Sequence, residues 1–110
     1  MTTSELLLKL NFRPFSKAWY YLSDCLALLC SDPDCKLGAV YYSVSLRYDV
    51  SPWAIERVCR YAVLTAVLKS PHGLFEKVLG QPFDSGNGYT LSRFFGLCVA
   101  ALQRSRNERK

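Results

Sequence analysis

Glu56, Arg57 and Arg60 are the residues of this chain whose types and spacing point to chemistry. An arginine fork can donate two bonds to the O6 and N7 of a guanine. A glutamate can accept from the amino group of a cytosine, and a second arginine can hold a backbone phosphate. All three lie in residues 49–63, a stretch that reads as a turn feeding a helix. Ser51 can cap that helix by accepting a bond from a free backbone N–H, and Pro52 suits the first helical position, where no N–H is needed. Behind this start Ile55, Val58, Cys59, Ala62, Val63 and Ala66 recur at three- and four-residue steps and form a stripe that buries. Trp53, Ala54, Arg57, Arg60 and Tyr61 fall off it, toward the exposed N-terminal half. A helix that presents its first two turns and carries arginines there is what the major groove of DNA admits. Ser51, Trp53, Glu56, Arg57 and Arg60 are therefore the expected contact set for a duplex.

Each of these residues also has a plainer role. Glu56 stands four residues before Arg60, the favoured orientation for an intrahelical pair worth about 0.2–0.5 kcal/mol. That pair would also hold the arginine still. Arg60 is expected on phosphate rather than on a base. Trp53 could lie along the sugar-phosphate edge or against a thymine methyl, but packing back near Tyr48 is the preferred expectation. Arg47, at the end of the preceding element, offsets a helix C-terminal dipole or reaches a phosphate. His72 reads as a turn residue. No His pairs with Ser, Cys or a carboxylate in a nucleophile pattern, and no carboxylate pair stands out, so no catalytic residue is expected. The glycines of residues 81–88 do not make a phosphate cradle: no strand precedes them and no Gly-Lys-Ser/Thr follows.

The elements that must position the site follow from local signals. Thr3 or Ser4 can cap a short helix through Lys9, with Leu6, Leu7 and Leu10 facing inward. Pro14 marks a break. Ser16 caps a longer helix to about Cys30, with Trp19, Leu22, Leu26 and Leu29 at helical spacing. Ser31 to Asp34 is a turn. Residues 37–48 fit either a helical stripe or a strand's alternation, and their β-branched and aromatic content leans toward a strand. The capped helix that begins within four residues pulls the other way, toward a helix-turn-helix. The long helix runs from Pro52 to about Lys69, and Ser70 to Gly73 stops it. A short helix covers Leu74 to Leu79 and ends at Gly80. Gln81 to Gly88 is a loop. A last helix spans about Leu91 to Gln103 and buries Phe94, Phe95, Cys98, Val99 and Leu102.

The 110 residues fit one domain, and with half of them hydrophobic a packed core is attainable. The net charge of +5 is unevenly spread. Arg104, Arg106, Arg109 and Lys110 stand against Glu108 alone at the C-terminal end, and the ten basic and eight acidic residues before them leave only +2. The domain is accordingly read as residues 1–104, with 105–110 as a basic tail. Cys25, Cys30, Cys35, Cys59 and Cys98 are odd in number and form no C-x-x-C pair, so no metal site is expected. Buried reduced thiols are expected instead, with Cys35, in a loop, the one candidate for surface reactivity. No apolar run approaches a membrane span, and the start lacks a basic region and a cleavage site. A cytoplasmic, nucleoid-associated protein without a cofactor is the expectation.

The order of elements resembles the C-terminal DNA-binding effector domain of the stage zero sporulation protein A family of response regulators. The resemblance covers about residues 3–104. Its most specific piece is Ile55-Glu56-Arg57 followed by Arg60 and Ala62. Tyr20-Tyr21-Leu22, Leu37-Gly38, Leu79-Gly80, and Tyr89-Thr90 with Ser92 and Phe94 support it by order and spacing. The resemblance implies an all-α fold of about six helices enclosing a helix-turn-helix, winged-helix or sporulation-effector-like. It also implies binding to a short DNA box, often as head-to-tail pairs on tandem boxes. Glu56 and Arg57 match that family's base-contacting positions, and Arg60 a further basic position facing DNA. Ala54 departs, because the family places an arginine there, and Trp53 stands where a small polar residue is common. The family's regulators carry a phosphoacceptor receiver; this chain begins almost at the effector domain and is expected to work without one. The segment Leu74–Leu79 resembles the surface that touches the polymerase sigma subunit.

Together these readings describe a sequence-specific DNA-binding transcription regulator, whose partners are double-stranded DNA, the polymerase sigma subunit and a second copy on DNA. The alternative is a protein-interaction module that pairs with a full-length regulator or with RNA polymerase and does not read DNA. The missing arginine at position 54 and the low body charge favour that alternative.

Overall fold

The helices begin where the chain offers their free N–H groups a partner. In the computed structural model, which describes residues 1–81, 83 and 91–108, six helices follow in order: α1 Thr3–Lys9, α2 Lys17–Ser31, α3 Leu37–Tyr48, α4 Pro52–Lys69, α5 Leu74–Leu79 and α6 Leu91–Glu108. Ser16 Oγ accepts from the Trp19 N–H at 3.1 Å and Ser51 Oγ from the Ala54 N–H at 3.1 Å, so α2 and α4 start at the expected caps. The cap of α1 is Thr2, not Thr3 or Ser4. Thr2 is extended, its hydroxyl accepts from the Glu5 N–H at 3.1 Å, and Glu5 reaches back to the Thr2 N–H at 3.3 Å. Only Thr2 has a glutamate three residues on to close this capping box.

Residues 37–48 are a helix. Val40, Tyr41, Val44 and Ser45 are buried, whereas Tyr42 and Leu46, which a strand's alternation would have turned inward, are exposed. Helical packing on α2 and α4 overrides the β-branched content. Among the described residues there is no strand, so the fold is all-α and no wing is seen among them. Tyr89 and Thr90, which supported the resemblance, and most of the 81–88 loop lie outside the described residues, as do Arg109 and Lys110.

The expected break after Gln103 is also corrected. Helix α6 continues to Glu108, and the boundary drawn at residue 104 falls inside it. Nothing after Gln103 interrupts a helix, and two bonds hold this stretch: the Met1 ammonium donates to Ser105 Oγ at 2.7 Å, and Arg104 Nη2 donates to the Leu79 carbonyl at 2.7 Å. Gly80, at φ 74°, makes room for that arginine. A Cβ there would lie 3.0 Å from its Nη2.

Helix α2 is central and packs against α1, α3, α4 and α6. Leu6, Leu7, Leu22, Leu26, Ile55 and Phe94 are fully enclosed. Phe12, Phe75, Phe83 and Phe94 form an aromatic cluster, with Phe12 and Phe94 at 5.9 Å between ring centroids, and it seats α5 on α6. Cys25, Cys59 and Cys98 are buried, and Cys30 and Cys35 are partly covered. The Cys59 thiol is pushed up by its hydrogen bond with Cys25 and by burial, and Cys98 by burial. Burial also raises Cys30, against the pull of Arg106. An aromatic disulfide reagent at pH 8 should label Cys35 readily in the folded protein and Cys30 slowly. Cys25, Cys59 and Cys98 should react only after denaturant is added, as peptide mapping would show.

Candidate nucleic-acid interface

Helices α3 and α4 meet through a three-residue turn, Asp49 to Ser51. Asp49 adopts the left-handed conformation at φ 55°, a region a short polar side chain tolerates. The Asp49 and Val50 N–H groups both converge on the Ser45 carbonyl, the latter at 3.2 Å. Ser51 then opens α4.

A polar contact from α2 holds the end of α3. The Tyr48 hydroxyl donates to Asp24 Oδ2 at 2.5 Å, Arg47 Nη1 lies 3.4 Å from Asp24 Oδ1, and the rings of Tyr21 and Tyr48 are 4.9 Å apart. Burial, followed by the bond to Asp24, pushes the Tyr48 hydroxyl up to about 12. Burial pushes Tyr41 up as well. Arg47 thus has a carboxylate partner, although its side chain remains 70% exposed. Asp24 drew no attention in the sequence, because its partners lie 23 and 24 residues away and no local pattern joins them.

Ile55, Cys59 and Val63 bury one side of α4 completely, and the opposite side faces solvent. Trp53 is 63% exposed, so it does not pack back near Tyr48 as expected. Tyr48 is taken up by Tyr21 and Asp24, and a position two residues before the buried Ile55 falls on the far side of a helix. The Arg57 guanidinium sits 4.6 Å above the Trp53 ring instead. Arg57 is exposed, as expected, and has no carboxylate partner among the described residues. Glu56 and Arg60 form the intrahelical pair. Ser51 is committed to its cap. Trp53, Arg57 and Arg60 therefore share one face at spacings of four and three residues.

That face continues into Tyr61, Leu64 and Leu68, all exposed. The sequence reading placed Tyr61 off the stripe but passed over Leu64 and Leu68. Their phase, with Leu64 three residues after Tyr61 and Leu68 four after Leu64, was the available signal. Of the basic residues at the C-terminal end, Arg104 caps α5 and Arg106 lies by Cys30. Among the described residues no group of three or more His, Cys, Asp or Glu could hold a metal ion, and no helix is long and apolar enough to cross a membrane.

No family model matches the chain, and no curated protein or solved structure matches it.

Ser51→Ala should lower stability by about 1 kcal/mol, within a range of about 0.5–2, in urea unfolding. The Tyr48 pKa is raised above its ordinary value of 10.0. Its contribution is therefore complete below pH 10 and is lost as pH rises through 12. Unfolding free energy should fall over that window, and less steeply in Tyr48→Phe.

Proposed function

We propose that this protein binds double-stranded DNA in the major groove through α3, its turn and the first turns of α4, and regulates transcription in the cytoplasm at the nucleoid. The observation that carries this reading is the Arg57 guanidinium, held on the solvent side of α4 by the Trp53 ring. Stacking narrows the fork's freedom and leaves its N–H edges for a guanine. Glu56 reads a neighbouring cytosine in this scheme. Arg60, half-exposed and steadied by Glu56, meets phosphate. Arg47 adds a second backbone contact. Local charge is modest, so each phosphate contact carries a large share of the affinity.

Selection from a random duplex pool at low salt, followed by mobility shifts, tests the proposal. Arg57→Ala should cost about 1–3 kcal/mol on the selected site and relax sequence choice. Arg60→Ala should weaken binding to all sequences alike and reduce the salt slope by about 1. No shift at micromolar protein would end the DNA reading, and a shift untouched by either change would end this assignment of residues.

A second reading is favoured by one observation: Tyr61, Leu64 and Leu68 extend the same face as exposed apolar side chains. Such a stripe suits a protein partner better than a phosphate backbone. In that reading the domain docks on a full-length regulator or on polymerase, the sigma subunit included. Loss of a partner complex in Leu68→Ser, with no duplex bound by the parent protein, would select it.

A further inference from the structure

A second surface lies beside the Trp53–Arg57 face, on the flank of α4 turned toward the α1–α2 connection. There a cleft of about 400 Å³ opens between that connection and the middle of α4. Phe12, Ala62 and Ala66 line it with apolar atoms, Tyr61 borders it while remaining 71% exposed, and Arg13 and Lys69 supply its charge. No acidic residue lines it. Neither cation has an ion-pair partner among the described residues. The connection that forms one wall is held in an uncommon backbone shape, with Asn11 at φ 71° and Phe15 at φ 63°. Phe15 is also 76% exposed.

We infer that this cleft docks an amphipathic helix of a partner protein, with apolar residues on its inner face and acidic residues on its flanks. The apolar floor takes the inner face as grooves take helices, and the two cations select the acidic flanks. Charge complementarity also argues against a second copy of this chain: the described helices contain no segment that joins an apolar ridge to acidic flanks on both sides. The inference does not depend on the DNA reading, because none of Trp53, Glu56, Arg57 and Arg60 lines the cleft.

The probe is a fluorescein-labelled helical peptide of three heptads with Leu at the inner positions and Glu on the flanks, paired with a matched peptide carrying Lys in place of Glu. Anisotropy at moderate salt should show the acidic peptide binding at least tenfold more tightly. Arg13→Glu and Lys69→Glu should each weaken it at least threefold. Tyr61→Ser should weaken it too, at an unchanged melting temperature. Equal binding of the two peptides, or affinity indifferent to all three substitutions, would overturn the inference. So would a wild-type dimer in sedimentation that Tyr61→Ser dissolves, because a second copy would then cover the cleft. Random-duplex binding weakened by Arg13→Glu and Lys69→Glu but not by Tyr61→Ser would give the cleft to a nucleic-acid backbone, and that too would overturn it.

Discussion

Burial of Ile55, Cys59 and Val63 in the core decides which side of α4 is left for solvent, and every surface feature of the helix inherits that choice. A helix cannot turn one residue out without turning its neighbours with it. Burying one such aliphatic side chain is worth about 1.5–3 kcal/mol. An exposed cation–π contact is worth about 0.5–1 kcal/mol and an intrahelical ion pair about 0.2–0.5 kcal/mol. The core therefore orients the helix, and the Trp53–Arg57 stack and the Glu56–Arg60 pair only settle where the exposed side chains rest. The Tyr48–Asp24 bond performs the companion task for α3, fixing its last turn on the same helix α2 that supports α4.

This division has an electrostatic consequence. Arg47 is paired with Asp24 and Arg60 with Glu56. Arg57 is left as the arginine of this surface whose described contact is an aromatic face rather than a carboxylate. Its charge is the least compensated of the three, and its orientation is set by a planar ring rather than by a flexible acid. A surface built this way is poor in long-range attraction and comparatively rich in orientation. That balance favours discrimination among ligands over indiscriminate capture of polyanions.

What the sequence made legible was local. Ser16, Ser51, Pro52 and Gly80 mark helix ends, because caps act through backbone groups only three or four residues away. The phase of Ile55, Cys59 and Val63 gave the buried side of α4, and hence the outward placement of Arg57. Residues 37–48 carried two periodicities; the capped helix that follows pointed to a helix-turn-helix, and α3 is indeed a helix packed on α2 and α4. What the sequence did not show depends on distant partners. The end of α6 depended on Met1, 104 residues away, and on Leu79. Trp53 was expected to pack back near Tyr48, yet its phase on the helix already opposed burial. The role of Asp24 and the cleft beside Tyr61 are pure tertiary products, assembled from α2 and α3 in one case and from α4 and the α1–α2 connection in the other.

Both proposed surfaces ride on one uninterrupted helix of 18 residues, about 27 Å long. A ligand in the cleft cannot rotate the Trp53–Arg57 face without also pulling Ile55 and Cys59 out of the core, a displacement no surface contact could offset. Coupling through a moving α4 is therefore excluded on energetic grounds. Arg60 and Tyr61 are neighbours in sequence, one facing the first surface and the other bordering the second. Any influence between the two ligands must pass directly across that boundary: acidic flanks on a docked helix would lower the local potential felt by a phosphate at Arg60. The predicted sign is antagonism, fading with added salt because it is carried by exposed charges rather than by a change of shape.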